Sequence, residues 1–169
     1  MKFSKVMALA GVTLLASGVL AACSGSSAKS GNTFSYVYET DPDNLNYLTT
    51  GKAATANITS NVIDGLMEND RYGNFVPSMA EDWSVSQDGL TYTYTIRKDA
   101  KWYTSEGEEY AAVKAQDFVT GLKYAADNKS EALYLVQDSI KGLDAYVKGE
   151  VKDFSEVGIK AIDDQTVQY

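Results

Sequence analysis

The stretch LTYTYTIR, residues 90–97, alternates apolar or aromatic side chains with polar ones, and it decides the class of fold. One face of it carries Leu90, Tyr92, Tyr94 and Ile96. A period of two is typical of a β-strand with one face against a core. The preceding WSVS, residues 83–86, is also strand-like, and Gln-Asp-Gly at 87–89 separates the two patterns. A short turn between two strand patterns predicts a β-hairpin.

Elsewhere in the chain, helical and strand patterns are mixed. Apolar residues that recur every three or four positions predict helices over 53–67, 114–127 and 130–148. Gly142 is expected to divide the last helix, and Gly149 is expected to cap its end. Further strand patterns cover 33–38, 159–162 and 166–169, with turns at 41–44, 72–74 and 163–164. The sequence therefore predicts a mixed α/β chain of the α+β class. We expect its final strand to present an exposed apolar edge at Tyr169.

The composition is that of a folded, acidic protein with few catalytic side chains. Its 169 residues are 44% hydrophobic and include 23 acidic against 15 basic residues, for a net charge of −8. Nucleic-acid-binding proteins normally present a basic face, so we expect no nucleic-acid partner. The sequence contains no histidine, which removes imidazole catalysis and imidazole metal ligands. Its single cysteine excludes an internal disulfide.

The beginning of the chain has the pattern of an export signal. Lys2 and Lys5 precede a stretch without charges, 6–22, which contains glycine, serine and threonine. A basic start, an apolar centre and a small-residue end are typical of a secretory signal peptide. A permanent membrane span needs roughly 20 predominantly apolar residues, so we expect the segment 1–22 to be removed.

The end of that segment, LAAC at 20–23, resembles the lipobox of bacterial lipoproteins. In that family the cysteine thiol receives diacylglycerol. The resemblance implies a lipid on Cys23 and a flexible acylated tether over 23–31, since this stretch is rich in serine and glycine. The alternative is a chance cysteine beside an ordinary cleavage site. The expected location is therefore the extracellular face of a cell membrane, with a lipid anchor in the bilayer.

Three patterns suggest chemistry, and each has a simpler structural interpretation. Ser26 and Lys29 match S-x-x-K but lie in the predicted tether, which cannot hold a nucleophile against a base. The sequence DPDNLN, residues 41–46, begins like a calcium loop but lacks its later ligand and glycine. Glu106 and Glu108 could form a hydrolytic pair, although charges in a turn are usually solvated. We therefore predict a protein that is not an enzyme, with no catalytic, metal or cofactor site.

An ordered series of motifs resembles a known family of binding proteins. The motifs are PSMAEDW at 77–83, DGLTYTY at 88–94, IRKDAKW at 96–102, AQDFV at 115–119 and GIKAIDD at 158–164. Together they are similar to the signature of the extracellular solute-binding proteins of peptide ABC transporters, called family 5. In appearance the chain is most similar to the oligopeptide-binding lipoproteins of Gram-positive bacteria.

The resemblance implies part of lobe one of a two-lobed clamshell of the periplasmic-binding-protein type. Residues 32–61 would begin the ligand-facing subdomain, and 62–169 would form most of the smaller subdomain. Family members bind oligopeptides in the cleft and pass them to permease subunits in the membrane. They run to several hundred residues, so we expect a truncated amino-terminal fragment that binds peptide weakly or not at all by itself. The alternative is a surface-displayed structural or interaction lipoprotein, such as an adhesin or antigen.

The resemblance also implies a set of peptide contacts. A ligand-contacting loop of the family maps to Thr50, Gly51, Lys52 and Ala53. Some relatives have an acidic residue in this loop, and this chain has none there. An aromatic contact in the family maps to Tyr134. We therefore expect peptide binding through these five residues, with backbone groups rather than a carboxylate in the loop.

Overall fold

The computed structural model of the chain describes residues 35–169. The chain divides into two compact units, Met1–Val37 and Tyr38–Tyr169, and every element described below belongs to the second unit. The predicted signal peptide, the tether and the lipid site at Cys23 lie outside the described residues. Among the described residues, no helix combines the length and apolar character needed to cross a membrane.

The second unit consists of short helices and antiparallel strands. Its helices are α1 (Ala53–Thr59), α2 (Ala115–Asp127) and α3 (Leu143–Val147), with 3-10 turns at Leu133–Leu135 and Phe154–Glu156. Its strands are β1 (Met67–Asn69), β2 (Phe75–Pro77), β3 (Ala80–Val85), β4 (Tyr92–Ile96), β5 (Lys101–Tyr103), β6 (Glu109–Ala112), β7 (Lys160–Ala161) and β8 (Thr166–Gln168). This mixed architecture confirms the predicted fold class.

The largest sheet contains four strands in the order β3-β4-β8-β7. The predicted hairpin forms its first half, with Trp83 opposite Tyr94 in the register. Gly89 has a φ of 73° in the connecting turn, a left-handed conformation that glycine adopts without steric cost. The strands β1–β2 and β5–β6 form two further antiparallel hairpins.

The strand β8 lies inside this sheet, between β4 and β7. Tyr92 and Tyr169 exchange two backbone hydrogen bonds of 2.8 Å each. The ring of Tyr169 also packs edge-on against Tyr94, with 6.0 Å between the ring centroids. The expectation of an exposed edge at Tyr169 is therefore wrong, because β4 supplies the partner strand from more than 70 positions earlier in the chain.

The core lies where α2 packs against β7 and β8. Its buried side chains include Ile96, Ala115, Ala126, Leu133, Leu143, Phe154, Val157, Ile159 and Val167. The predicted helix over 114–127 is confirmed, with α2 beginning one residue later. On β4 the apolar face is buried at Ile96 but exposed at Tyr92, toward the hairpin turn. The alternating pattern therefore predicts the apolar face of β4 correctly, but it does not predict that this face is exposed at Tyr92.

Two predicted helices are shorter in the structure. The helix expected over 53–67 ends at Thr59, because the side-chain amide of Asn61 donates to the carbonyl of Asn57 at 2.7 Å. Beyond it, the backbone N–H of Ala80 donates to the carbonyl of Leu66 at 2.9 Å, which ties the chain there to the start of β3. Instead of continuing the helix, the chain therefore enters β1.

The region expected to be helical over 130–148 contains a 3-10 turn, further turns and the short helix α3. Gly142, with a φ of 75°, does divide it, and Gly149, with a φ of 78°, follows α3 as predicted. The backbone N–H of Gly158 donates to the carbonyl of Lys141 at 2.7 Å. This hydrogen bond ties the segment before Gly142 to residue 158, and the left-handed conformation of Gly142 interrupts the helical backbone.

The strand expected over 33–38 is not found in its described part. Residues 35–38 have no strand conformation, and their side chains are exposed.

Candidate functional site

A cavity of about 320 Å³ lies beside α1. Its wall includes Thr50, Gly51, Thr55, Thr59, Tyr134 and Leu135. Three of the five predicted contact residues, Thr50, Gly51 and Tyr134, therefore meet at one cavity although more than 80 positions separate the loop from the tyrosine. The volume is at the lower end of the range typical of ligand pockets, roughly 300–1,000 Å³.

The two sides of this cavity are joined by Glu131. Its carboxylate accepts a hydrogen bond from the backbone N–H of Gly51 at 3.0 Å and one from the hydroxyl of Thr50 at 3.4 Å. The backbone N–H of Glu131 donates to the carbonyl of Thr49 at 3.0 Å. A carboxylate thus stands beside the loop, but it comes from the segment that carries Tyr134. No local pattern in the sequence links positions 80 apart, so the sequence does not indicate a role for Glu131 at this loop.

Lys52 and Ala53 lie beside the cavity rather than in its wall. The ammonium group of Lys52 forms an ion pair with Asp43. This hydrogen bond raises the pKa of Lys52 and lowers the pKa of Asp43. Ala53 is exposed and begins α1. The charge of Lys52 is therefore compensated within the chain.

The threonine hydroxyls on α1 also form hydrogen bonds within the chain. Thr55 is buried, and its hydroxyl donates to the carbonyl of Asn44 at 2.7 Å. The hydroxyl of Thr59 donates to the carbonyl of Thr55 at 3.1 Å. Tyr47 lies at the same cavity, and burial raises the pKa of its phenol. The cavity therefore suits apolar contact and backbone hydrogen bonding better than recognition of a charge.

The alternative chemistries receive no support from the described residues. Glu106 and Glu108 are exposed in the turn between β5 and β6. Hydrogen bonds from Ser105 and Thr104 lower the pKa of Glu106, whereas a general acid needs a raised pKa. Within 35–169 no group of three or more acidic, cysteine or histidine residues is placed to hold a metal ion.

The fold and the motifs match a known class of protein. The family model of the bacterial extracellular solute-binding proteins, family 5 Middle, matches residues 74–169. This chain therefore belongs to the extracellular solute-binding proteins of family 5.

Particular members of the family are very similar to this chain. It is 86% identical over its whole length to the oligopeptide-binding protein AliA of Streptococcus pneumoniae and 71% identical to the oligopeptide-binding protein SarA of Streptococcus gordonii. It spans 26% and 27% of the length of these two relatives, respectively. Among solved structures, Haemophilus influenzae OppA in complex with RPPGFSPFR is 28% identical, with a TM-score of 0.66. That match covers 76% of this chain and 24% of OppA.

Proposed function

We propose that this chain forms part of the peptide-capturing component of an oligopeptide ABC import system. The observation that carries the proposal is the meeting of Thr50, Gly51 and Tyr134 at one cavity. Short peptides in an extended conformation offer backbone N–H and carbonyl groups, which a loop such as 50–53 can bind without selecting one side chain. Tyr134 adds a large apolar surface with a polar tip.

The proposed location is the extracellular face of a cell membrane, with a lipid on Cys23. Export and anchoring are supported by the lysines, the charge-free segment and the LAAC sequence at the start of the chain. Two acyl chains hold a protein at a bilayer far more firmly than one, since each buried CH₂ contributes about 0.8 kcal/mol. The proposed partners are oligopeptides and the permease subunits that receive them, and the proposed role involves no covalent chemistry.

In this proposal, 32–61 begins the ligand-facing subdomain and 62–169 forms the smaller subdomain of lobe one. The division is supported by the position of α1 at the cavity, and by the location of every described strand after position 62. Because the chain spans about a quarter of its relatives, it supplies one part of a peptide site. We therefore expect the chain alone to bind peptides weakly or not at all.

A chimera tests this proposal. The chain is joined to the remaining three quarters of the 86%-identical relative, and calorimetry measures binding of a panel of short peptides. We expect the chimera to bind with micromolar affinity or better, and the chain alone to show no such affinity. In the chimera, Tyr134→Ala is expected to weaken binding about tenfold, the loss typical of an aromatic contact residue.

The matched control for this variant is Tyr110→Ala. Tyr110 is 78% exposed and Tyr134 is 74% exposed, but Tyr110 lies on β6, away from the cavity. Peptide binding by the control should equal that of the parent chimera. Equal losses in the two variants would refute the assigned site. Micromolar binding by the chain alone would refute the claim that its site is partial.

A further inference from the structure

The tripeptide Asp-Gly-Leu occurs twice in this chain, at 64–66 and at 88–90. At these two places an aspartate directly precedes a glycine. An aspartate in that position can isomerise spontaneously, because glycine has no Cβ to hinder the attack of its backbone nitrogen on the neighbouring carboxyl group. The shared local sequence gives both sites similar intrinsic chemistry, so the surrounding structure decides which of them reacts.

The isomerisation has two steps and needs only water. The glycine nitrogen attacks the carbon of the protonated side-chain carboxyl group, a C–N bond forms, and one water molecule leaves. The resulting five-membered succinimide then takes up one water molecule. Opening at the former side-chain carbonyl restores aspartate, whereas opening at the former backbone carbonyl leads the main chain through the side chain and gives isoaspartate. The reaction therefore needs a free carboxyl group and a free glycine N–H.

At the second site, hydrogen bonds hold every reacting group. The carboxylate of Asp88 accepts from the hydroxyl of Ser86 and, at 3.1 Å, from the backbone N–H of Leu90. The backbone N–H of Gly89 donates to the carbonyl of Ser86 at 2.9 Å. The hydrogen bond from Ser86 is the main cause of the lowered pKa of Asp88, so this carboxyl group stays ionised and is a poor target for attack.

At the first site, the reacting groups have no such partners. Asp64 and Gly65 are exposed, in the connection between α1 and β1. Within 35–169 no residue forms a hydrogen bond or an ion pair with the carboxylate of Asp64, and none accepts from the N–H of Gly65. The pKa of Arg97 is raised chiefly by its hydrogen bonds to Asp99, and the charge of Asp64 has only a smaller effect on it.

The chain is held on both sides of this link. Before it, the backbone N–H of Ile63 donates to the carbonyl of Thr59 at 2.8 Å. After it, the carbonyl of Gly65 accepts from the backbone N–H of Met79 at 3.0 Å. The connection therefore keeps its place in the folded protein, while the carboxylate of Asp64 and the N–H of Gly65 stay open to solvent.

We propose that Asp64 is a site of spontaneous isomerisation to isoaspartate in the folded protein, whereas the turn that contains Asp88 protects the second site. The modification adds one carbon atom to the main chain between α1, which borders the cavity, and the hairpin of β1 and β2. It changes neither the mass nor the number of charges. The inference does not depend on the proposed peptide binding.

Ageing of the purified full chain, followed by peptide mapping, tests this proposal. The chain is incubated in neutral buffer and, in parallel, in concentrated urea, and samples are digested with trypsin at intervals. The tryptic fragments 53–71 and 72–97 separate the two sites, and electron-transfer fragmentation distinguishes isoaspartate from aspartate. In buffer we expect isoaspartate to form at least about tenfold faster at position 64 than at 88, because Asp88 must first lose its hydrogen bonds. In urea the two rates should become similar.

Asp88 is the matched control within the same molecule, and Ser86→Ala tests why it is protected. Without the Ser86 hydroxyl, isoaspartate should form about fivefold faster at position 88, and the rate at position 64 should stay the same. Equal rates at the two positions in buffer would overturn the proposal, as would the absence of isoaspartate at position 64. The same ratio of rates in buffer and in urea would also overturn it, because the difference would then come from the sequence alone. An unchanged rate at position 88 in Ser86→Ala would refute protection by the turn.

Discussion

The substitution Gly142→Ala tests how the segment that carries Tyr134 is joined to α3. Gly142 stands immediately before α3 with a φ of 75°. A Cβ at this position would lie 2.9 Å from the backbone carbonyl oxygen of Glu156. The neighbouring hydrogen bond from Gly158 to Lys141, at 2.7 Å, holds the two segments together, so neither can move away without loss.

The expected cost has two parts. An alanine forced into a left-handed conformation costs roughly 1–2 kcal/mol. Overpacking against a backbone atom costs roughly a further 1–3 kcal/mol, because buried Val157 fixes the facing segment. We therefore expect Gly142→Ala to lower the free energy of unfolding by about 2–5 kcal/mol, a large part of the 5–15 kcal/mol typical of a folded domain.

Gly149→Ala is the matched control. Gly149 has a φ of 78°, but a Cβ there would meet no heavy atom within 4 Å. Its substitution should cost only the conformational part, roughly 1–2 kcal/mol. The two variants therefore separate steric contact from backbone conformation.

Urea unfolding, followed by the fluorescence of the two tryptophans, measures the difference. With a slope of about 2 kcal/mol per molar urea, the midpoint of Gly142→Ala should lie roughly 1–2.5 M below that of the parent chain. The control midpoint should fall by about half as much or less. Equal midpoints for the two variants would refute the close approach of Gly142 to Glu156.

Two further predictions concern the large sheet. Burial raises the pKa of the Tyr169 phenol to about 12. The contribution of the neutral phenol to the free energy of unfolding should therefore be fully present below pH 10, and it should fall by about 3 kcal/mol between pH 10 and 12. Denaturant titrations at several pH values should show that Tyr169→Phe removes this loss of unfolding free energy at alkaline pH. The control Tyr110→Phe should retain the loss. Identical pH profiles for the two variants would contradict the burial of the Tyr169 phenol. Ile96→Ala should lower the unfolding free energy by about 2–5 kcal/mol, because Ile96 is 0% exposed, and Leu90→Ala should change it by less than about 0.5 kcal/mol. Similar thermal denaturation curves for these two variants would contradict the burial of Ile96 and the exposure of Leu90.

The proposed peptide-contact residues show which placements a family resemblance can predict. It indicated the loop 50–53 and Tyr134, and the structure places Thr50, Gly51 and Tyr134 at one cavity. It did not indicate Glu131, although this carboxylate binds the loop directly. A residue that acts across 80 positions leaves no periodic or compositional signal in the sequence around it.

Elements with local causes could be predicted from the amino-acid sequence. The hairpin of β3 and β4 follows from side-chain alternation around a glycine turn, and α2 follows from its apolar stripe. The breaks at Gly142 and Gly149 follow from a backbone conformation that other residues rarely adopt. In each case the deciding residues lie within a few positions of one another.

Which elements pair and pack together became known from the tertiary structure. It placed β8 between β4 and β7, and so turned an expected open edge at Tyr169 into an interior strand. It also tied the chain after α1 to the start of β3, through the hydrogen bond from the backbone N–H of Ala80 to the carbonyl of Leu66. The physical reason is that pairing and burial depend on partners far away in the chain, and local patterns do not say which partner is present.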